Sequence, residues 1–261
     1  MPPTAPDRFA EVVSRPEAEI PLDEAALLIS ATAQSGLDVG AQLARLDALA
    51  AGCPEPTLAG LRRHLFEDLG FAGNREEYAD PRNSFIDQVL DRRTGIPISL
   101  SVVTVEVARR LGVPLVGVGM PGHFLVGVVD DPGTFLDPFG GGEVLDPAGC
   151  ETLFRNLGGT GPFFPGYLAP VGPRAILTRM LANLQNLFVP GDLAAAAWVL
   201  ELRLAIPGSS KEERRDLARA LGGLGRFTSG AAELERVAAL FPDDEAKALH
   251  DEAVALRARS N

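Results

Sequence analysis

Cysteine is nearly absent from this chain. Cys53 and Cys150 are its only two, and they lie in different segments. No disulfide framework is therefore expected, and a reducing cytoplasm is the natural setting. Histidine is equally scarce. His64, His123 and His250 fall in separate regions without ligand spacing, so neither a metal nor a cofactor is expected. No apolar run approaches the ~20 residues that cross a bilayer. The strongest, Leu193 to Ile206, is broken by Glu201 and Arg203. The start, MPPTAPDRFAEVV, has no basic stretch ahead of an apolar core, so no signal peptide is expected. Positive charge is in deficit too. A net charge of −11 repels phosphate backbones and anionic membranes, and neither is an expected partner. The basic pair Arg92-Arg93 is placed in the last turn of a helix, where cations suit the dipole.

What is present suffices for a folded core. Hydrophobic residues are 46% of the 261 positions, and charged residues an ordinary 23%. Three regions follow one another. Residues 1–75 read as helices. Pro21 to Ala33 opens with proline and acids, Leu43, Leu46 and Leu49 recur at helical spacing, and Thr57 to Leu69 stops at Gly70. Residues 76–170 change character. A short helix is expected over Asn83 to Arg93, capped by Asn83 or Ser84, and a longer one over Pro97 to Leu111. β-like runs follow at Leu115 to Met120, His123 to Val129 and Thr134 to Asp137, with Val144 to Leu145 as an extension. Asp130-Asp131-Pro132-Gly133 supplies a turn, and Gly158 to Gly166 a loop. Helix followed by an antiparallel meander implies an α+β fold, with a helix packed on the sheet and helical flanks. Residues 171–261 are helical again. Gly191-Asp192-Leu193 and Gly225-Arg226-Phe227 start similar stretches thirty-four residues apart, running to Pro207 and Pro242. That period matches tetratricopeptide-type helix pairs, with an ordinary helical bundle as the alternative.

The chemistry-bearing stretch runs from Gly95 to Gly142. A helix opens at Gly95-Ile96-Pro97 and closes at Leu111-Gly112, then come Pro121-Gly122-His123-Phe124 and Leu136-Asp137-Pro138. If the hairpin between them preserves parity, His123 and Asp137 share one sheet face. Gly140-Gly141-Gly142 lacks the lysine and threonine of a phosphate loop and reads as a turn.

DPRNSF, DRRTGIPISLS, ARRLGVPLVGVGMPGHFLV and LDPFGGG, in this order, resemble the SirB-type family of the transglutaminase-like superfamily. The resemblance implies a papain- or transglutaminase-like core, a helical N-terminal segment and a tetratricopeptide-like C-terminal region. It also implies a triad: a cysteine opening the helix, a histidine on one strand and an aspartate on the next. His123 and Asp137 match the last two. The cysteine position is Pro97, which has no nucleophile but suits a first helical turn. Losing a triad nucleophile costs on the order of 10⁶ in turnover. The resulting expectation is a non-catalytic protein that binds a protein or peptide partner. Its groove would be lined by Pro97, Met120, His123, Phe124, Asp137 and Phe139, with the helical repeats as a second surface. The alternative is an amide or peptide hydrolase or transferase in which Ser99, Ser101 or Cys150 serves His123 as a relocated nucleophile.

Overall fold

The computed structural model describes residues 3–188 and 191–259. Positions 1–2, 189–190 and 260–261, which the outer predicted regions include, lie outside the described residues. The helices are α1 (Ala5–Val13), α2 (Leu22–Ala33), α3 (Val39–Ala51), α4 (Leu58–Arg62), α5 (Ile86–Arg92), α6 (Pro97–Leu111), α7 (Pro147–Asn156) and α8 (Pro173–Phe188), then α9 (Leu193–Ala205), α10 (Lys211–Gly223), α11 (Phe227–Ala238) and α12 (Asp243–Ala258). The strands are β1 (Ala72–Gly73), β2 (Thr94–Gly95), β3 (Leu115–Val118), β4 (Leu125–Val128), β5 (Asp131–Asp137), β6 (Glu143–Leu145) and β7 (Pro170–Val171).

The chain divides into two compact units, 15–180 and 1–14 together with 181–261. This differs from the three regions read from sequence. Residues 15–75 are not a separate helical segment but pack with the sheet, because α2 and α3 lay their apolar faces on α6. Residues 171–180 also belong to the sheet-bearing unit.

In that unit, helix α6 is the central element. Proline at its first position and Gly112 in a left-handed C-cap set its limits. Its valines are tolerated in a helix because α2, α3, α5, β3 and β4 surround it, and burial outweighs their weak helix propensity. The sheet is antiparallel, in the order β6-β5-β4-β3-β7. Val126 pairs with Leu136 and Gly127 with Phe135, so the pairing preserves parity across this hairpin. A bulge between Gly127 and Val128 absorbs the turn. A short parallel pair, β1 with β2, ties the end of the N-terminal helices to the start of α6.

Three local expectations change, the first being the turn expected over Asp130 to Gly133: Asp131, Pro132 and Gly133 open β5, and Val129-Asp130 makes the turn. The helix expected over Asn83 to Arg93 is a 3₁₀ turn, Pro81–Asn83, followed by α5. Neither Asn83 nor Ser84 caps it: Phe85 is the N-cap residue and makes no side-chain cap. Thr57 to Leu69 begins as α4, capped by Thr57, then widens into a π-helical turn over Arg63–Asp68.

The second unit is built from α-helices. Consecutive helices α9 to α12 pack in pairs around Ala218, Ala231, Leu234, Val237 and Leu249 and around Ala197, Leu200, Leu217 and Leu221. The small alanines let the helices approach closely, which explains the alanine-rich stretches.

A buried ion network fixes α6 to the helices behind it. Arg110 reaches Asp23 at 2.6 Å, Asp47 at 2.6 Å and Glu106 at 3.1 Å. Arg109 joins Asp23 and Glu106, but its side chain is 59% exposed against 13% for Arg110. Arg110→Ala leaves Asp23 and Glu106 buried with one screened partner. It should cost about 3–5 kcal/mol in urea denaturation, whereas Arg109→Ala costs about 1 kcal/mol or less. Burial, then the neighbouring Asp23, raises the Glu106 carboxyl above its ordinary 4.5 despite both arginines. A raised folded value favours the protonated form. Its contribution to stability is full below the unfolded value and is lost as pH rises through the folded one. Glu106→Gln should remove that loss, flattening the stability curve above about pH 4.5, as followed by urea midpoints. Equal costs for the two arginines, or an unchanged curve, would contradict this network.

Candidate functional site

His123 lies two residues before β4, and Asp137 ends β5. The parity of the hairpin register brings them to one face. The His123 Nε2–H donates to Asp137 Oδ1 at 2.8 Å, and each residue is only 4% exposed. A carboxylate only accepts, so this bond fixes the proton on Nε2. The same Oδ1 accepts the Phe139 backbone N–H at 3.0 Å, which holds the carboxylate in plane with the turn. Nδ1 makes no hydrogen bond among the described residues.

The turn after Asp137 is built around that carboxylate. A Cβ on Gly140 would stand 2.7 Å from Asp137 Oδ2, so the residue there must be glycine. The Gly141 and Gly142 amides donate to Pro138 O and Asp137 O, which makes Gly140 to Gly142 a turn. Phe139 then lies edge-on to the imidazole, with centroids 5.9 Å apart. Gly73 of β1 lies under it: a Cβ there would come within 2.4 Å of the Phe139 ring. Tyr78 stacks edge-on against Phe139 at 6.0 Å, and the Arg75 guanidinium covers the same ring at 5.0 Å. Tyr78 is 51% exposed, so this aromatic group is the solvent-facing border of the site.

Two residues that sequence reasoning missed hold the border in place. Asn83 is fully buried, and its amide donates to Glu77 O at 2.7 Å and Tyr78 O at 3.3 Å. Its Oδ1 accepts from Asn74 and Arg92. One side chain thus organises the 74–82 loop. Its signal lay in DPRNSF, but a polar residue ahead of a helix reads first as a cap. Arg179 on α8 donates to Met120 O at 3.0 Å and His123 O at 2.7 Å, and its guanidinium covers Phe124 at 5.4 Å. Burial lowers its pKa, with Tyr78 opposing. No local pattern marks this arginine, because its partners are backbone carbonyls fifty-six and more residues away.

The candidate nucleophiles are engaged elsewhere. Ser99 Oγ is buried; it donates to Asn83 O at 2.5 Å and accepts the Ile96 N–H at 3.1 Å. Ser101 Oγ donates to Pro97 O at 2.8 Å. Cys150 is fully buried on α7 among Val118, Met120, Leu125, Phe135 and Phe154. Burial, then Asp146 and Asp137, pushes its thiol up to about 11. None of the three is hydrogen-bonded to His123. Of the predicted groove, Pro97, Met120, Phe124, His123 and Asp137 are buried and Phe139 is partly buried. Pro97 opens α6, which packs on β4, where Ser101 Oγ comes within 3.5 Å of Phe124 O. Among the described residues, no group of three or more His, Cys, Asp or Glu is placed to hold a metal, and no helix is long and apolar enough to cross a membrane.

A buried helix packed on an antiparallel sheet, with a hydrogen-bonded His–Asp pair held by the β4–β5 hairpin, is the arrangement of a transglutaminase-like core. The chain belongs to the transglutaminase-like superfamily, whose family model matches residues 31–182. Its relatives include a UPF0162 protein of Xylella fastidiosa, 42% identical over 191 residues, which are 71% of this chain and 68% of that one. A UPF0162 protein of Vibrio cholerae is 36% identical over 48% of this chain and 47% of its own. Human F-box only protein 21 is 38% identical over 47% of this chain but only 20% of its own length. No solved structure matches.

The thiols separate cleanly by environment. Iodoacetamide at neutral pH should label Cys53, which is partly exposed, and leave Cys150 unmodified until the protein is unfolded. Mass spectrometry of native and denatured samples reads this directly. Native labelling of Cys150 would show that its apolar cluster is open.

Proposed function

We propose that the protein is a non-catalytic member of its superfamily that binds a protein or peptide partner at the border of the His123–Asp137 site. Two observations carry this reading: Pro97, the position matched to the superfamily nucleophile, opens α6, and the His123–Asp137 pair keeps base and orienter. The serine hydroxyls satisfy backbone carbonyls, and a thiol pushed up to about 11 is no nucleophile at neutral pH. That weighs against the hydrolase alternative.

The solvent-facing side of the site is suited to contact. Tyr78, Phe139 and Arg75 are of the residue types that dominate protein interfaces, and they are held on a loop that Asn83 fixes. The match to a fifth of F-box only protein 21 supports the same reading, since there a domain of this type is one part of a longer chain. The motif order of residues 80–142 favours the SirB-type group within the superfamily. The paired helices α9 to α12 favour a tetratricopeptide-like second surface, with a concavity of about 430 Å³ lined by Glu201, Leu204, Thr228, Glu233 and Arg236. A cytoplasmic setting fits the two unpaired cysteines.

A displayed library of random dodecapeptides, panned on the full chain, tests this reading. Enriched peptides should lose about tenfold or more in affinity with Tyr78→Ala, an exposed position, by fluorescence polarisation. A peptidyl vinyl sulfone should add no mass to a Cys53→Ser variant of the protein. An adduct, or turnover of an amide substrate, that disappears with His123→Ala would make the protein a hydrolase and overturn the proposal.

A further inference from the structure

The sheet-bearing unit contains a second concavity that shares no residue with the His123 site. Its volume is about 350 Å³. Leu49, Leu69, Phe71 and Leu90 give it an apolar floor, with Phe71 and Leu90 almost fully buried. Two guanidinium groups, Arg45 and Arg93, and the ring of His64 complete the lining. These side chains come from α3, from the π-helical turn 63–68, from the segment after it and from the end of α5.

The two arginines are not equivalent. Arg45 is paired with Asp91 at 2.7 Å. Arg93 has no carboxylate partner among the described residues; its one hydrogen bond goes to Leu69 O at 2.9 Å. Its backbone is unusual as well. At φ 54° it is the one non-glycine residue with positive φ among the described residues, at a helix C-cap where glycine or asparagine is the ordinary choice. Strain of that kind persists where the side chain is needed, and it clusters at ligand clamps. The sequence pair Arg92-Arg93 is thus split. Arg92 turns to Asp80 and Asn83, and Arg93 to the cavity.

His64 is 8% exposed, and its Nε2–H donates to Leu49 O at 3.0 Å. That bond fixes the ring and leaves Nδ1 without a hydrogen-bond partner among the described residues. His64 sits in a π-helical turn, a feature found often at functional sites.

We propose that this cavity binds a small carboxylic acid with an apolar body. The body lies on the Leu49, Leu69, Phe71 and Leu90 floor. The carboxylate takes the fork of Arg93. A monoanion is favoured because Arg45 is already neutralised by Asp91, which leaves one uncompensated cation for the ligand. The volume is near the lower end of the roughly 300–1,000 Å³ range of ligand pockets, which restricts the ligand to small-molecule size.

Titration calorimetry of the full chain with 3-phenylpropionate, and with its neutral amide, tests the assignment. The acid should bind saturably at millimolar concentration or below, and the amide at least about tenfold more weakly, since a lost charge-assisted bond is worth that factor. Arg93→Asn tolerates the left-handed backbone while removing the guanidinium, and should weaken the acid by a similar factor. Ala48→Trp, introduced at an exposed position of the lining, should block binding while leaving the urea midpoint in place. Equal binding of acid and amide, no effect of Arg93→Asn, or no binding of the acid would overturn the proposal. So would inorganic phosphate competing as strongly as the acid. Because the two sites share no residue, failure here leaves the reading of the His123 site untouched.

Discussion

The sheet-bearing unit depends, at its chemical centre, on a single 2.8 Å hydrogen bond between His123 and Asp137. A buried imidazole and a buried carboxylate are each unfavourable alone, because both leave water and neither has an apolar substitute for it. Together they satisfy one another, and the surrounding chain is arranged to keep them so. The bulge after Gly127 preserves the parity of the hairpin register, Gly140 makes room for the carboxylate, and Arg179 holds the two carbonyls of the turn before β4. The pair therefore has structural reasons to persist whether or not chemistry follows from it.

On the proposed non-catalytic reading, that persistence bears on how a transglutaminase-like framework is kept without a nucleophile. A proline at the first position of α6 is a good helix start, so the residue that the proposal sets in place of a nucleophile also favours the local fold. The hydroxyls further along the helix satisfy carbonyls of Asn83 and Pro97 and so act as fasteners. Ser99 in particular joins α6 to the DPRNSF segment, and Asn83 joins that segment to the loop carrying Tyr78. A continuous set of polar contacts thus runs from the helix start to the exposed aromatic border.

Much of this was legible in the sequence. Periodicity and turn residues located α2, α3, α6 and the meander, because amphipathic spacing and proline or glycine punctuation are local properties. The shared face of His123 and Asp137 was legible only as a condition on register, and the bulge that meets it is invisible in the residues. Asn83 and Arg179 were missed for a common reason: both bind backbone carbonyls, which every residue carries and no sequence pattern marks. The division into compact units was not legible, because residues 15–75 have an ordinary helical pattern whose buried faces do not reveal what they pack on. The split between Arg92 and Arg93 was also hidden, since two adjacent arginines at a helix end look alike until the backbone turns left-handed between them and the next strand.

The central proposal is that the framework keeps a base and an orienter while the position matched to the superfamily thiol is Pro97. Ultraviolet thiolate absorbance of Pro97→Cys against the parent protein tests it most directly, since it needs no reagent to enter the buried site. The predicted result is a new thiolate appearing well below the ~8.5 of a free cysteine, with the shift lost when His123→Ala is added. A thiol at position 97 that titrates at or above the free value, indifferent to His123, would contradict the account.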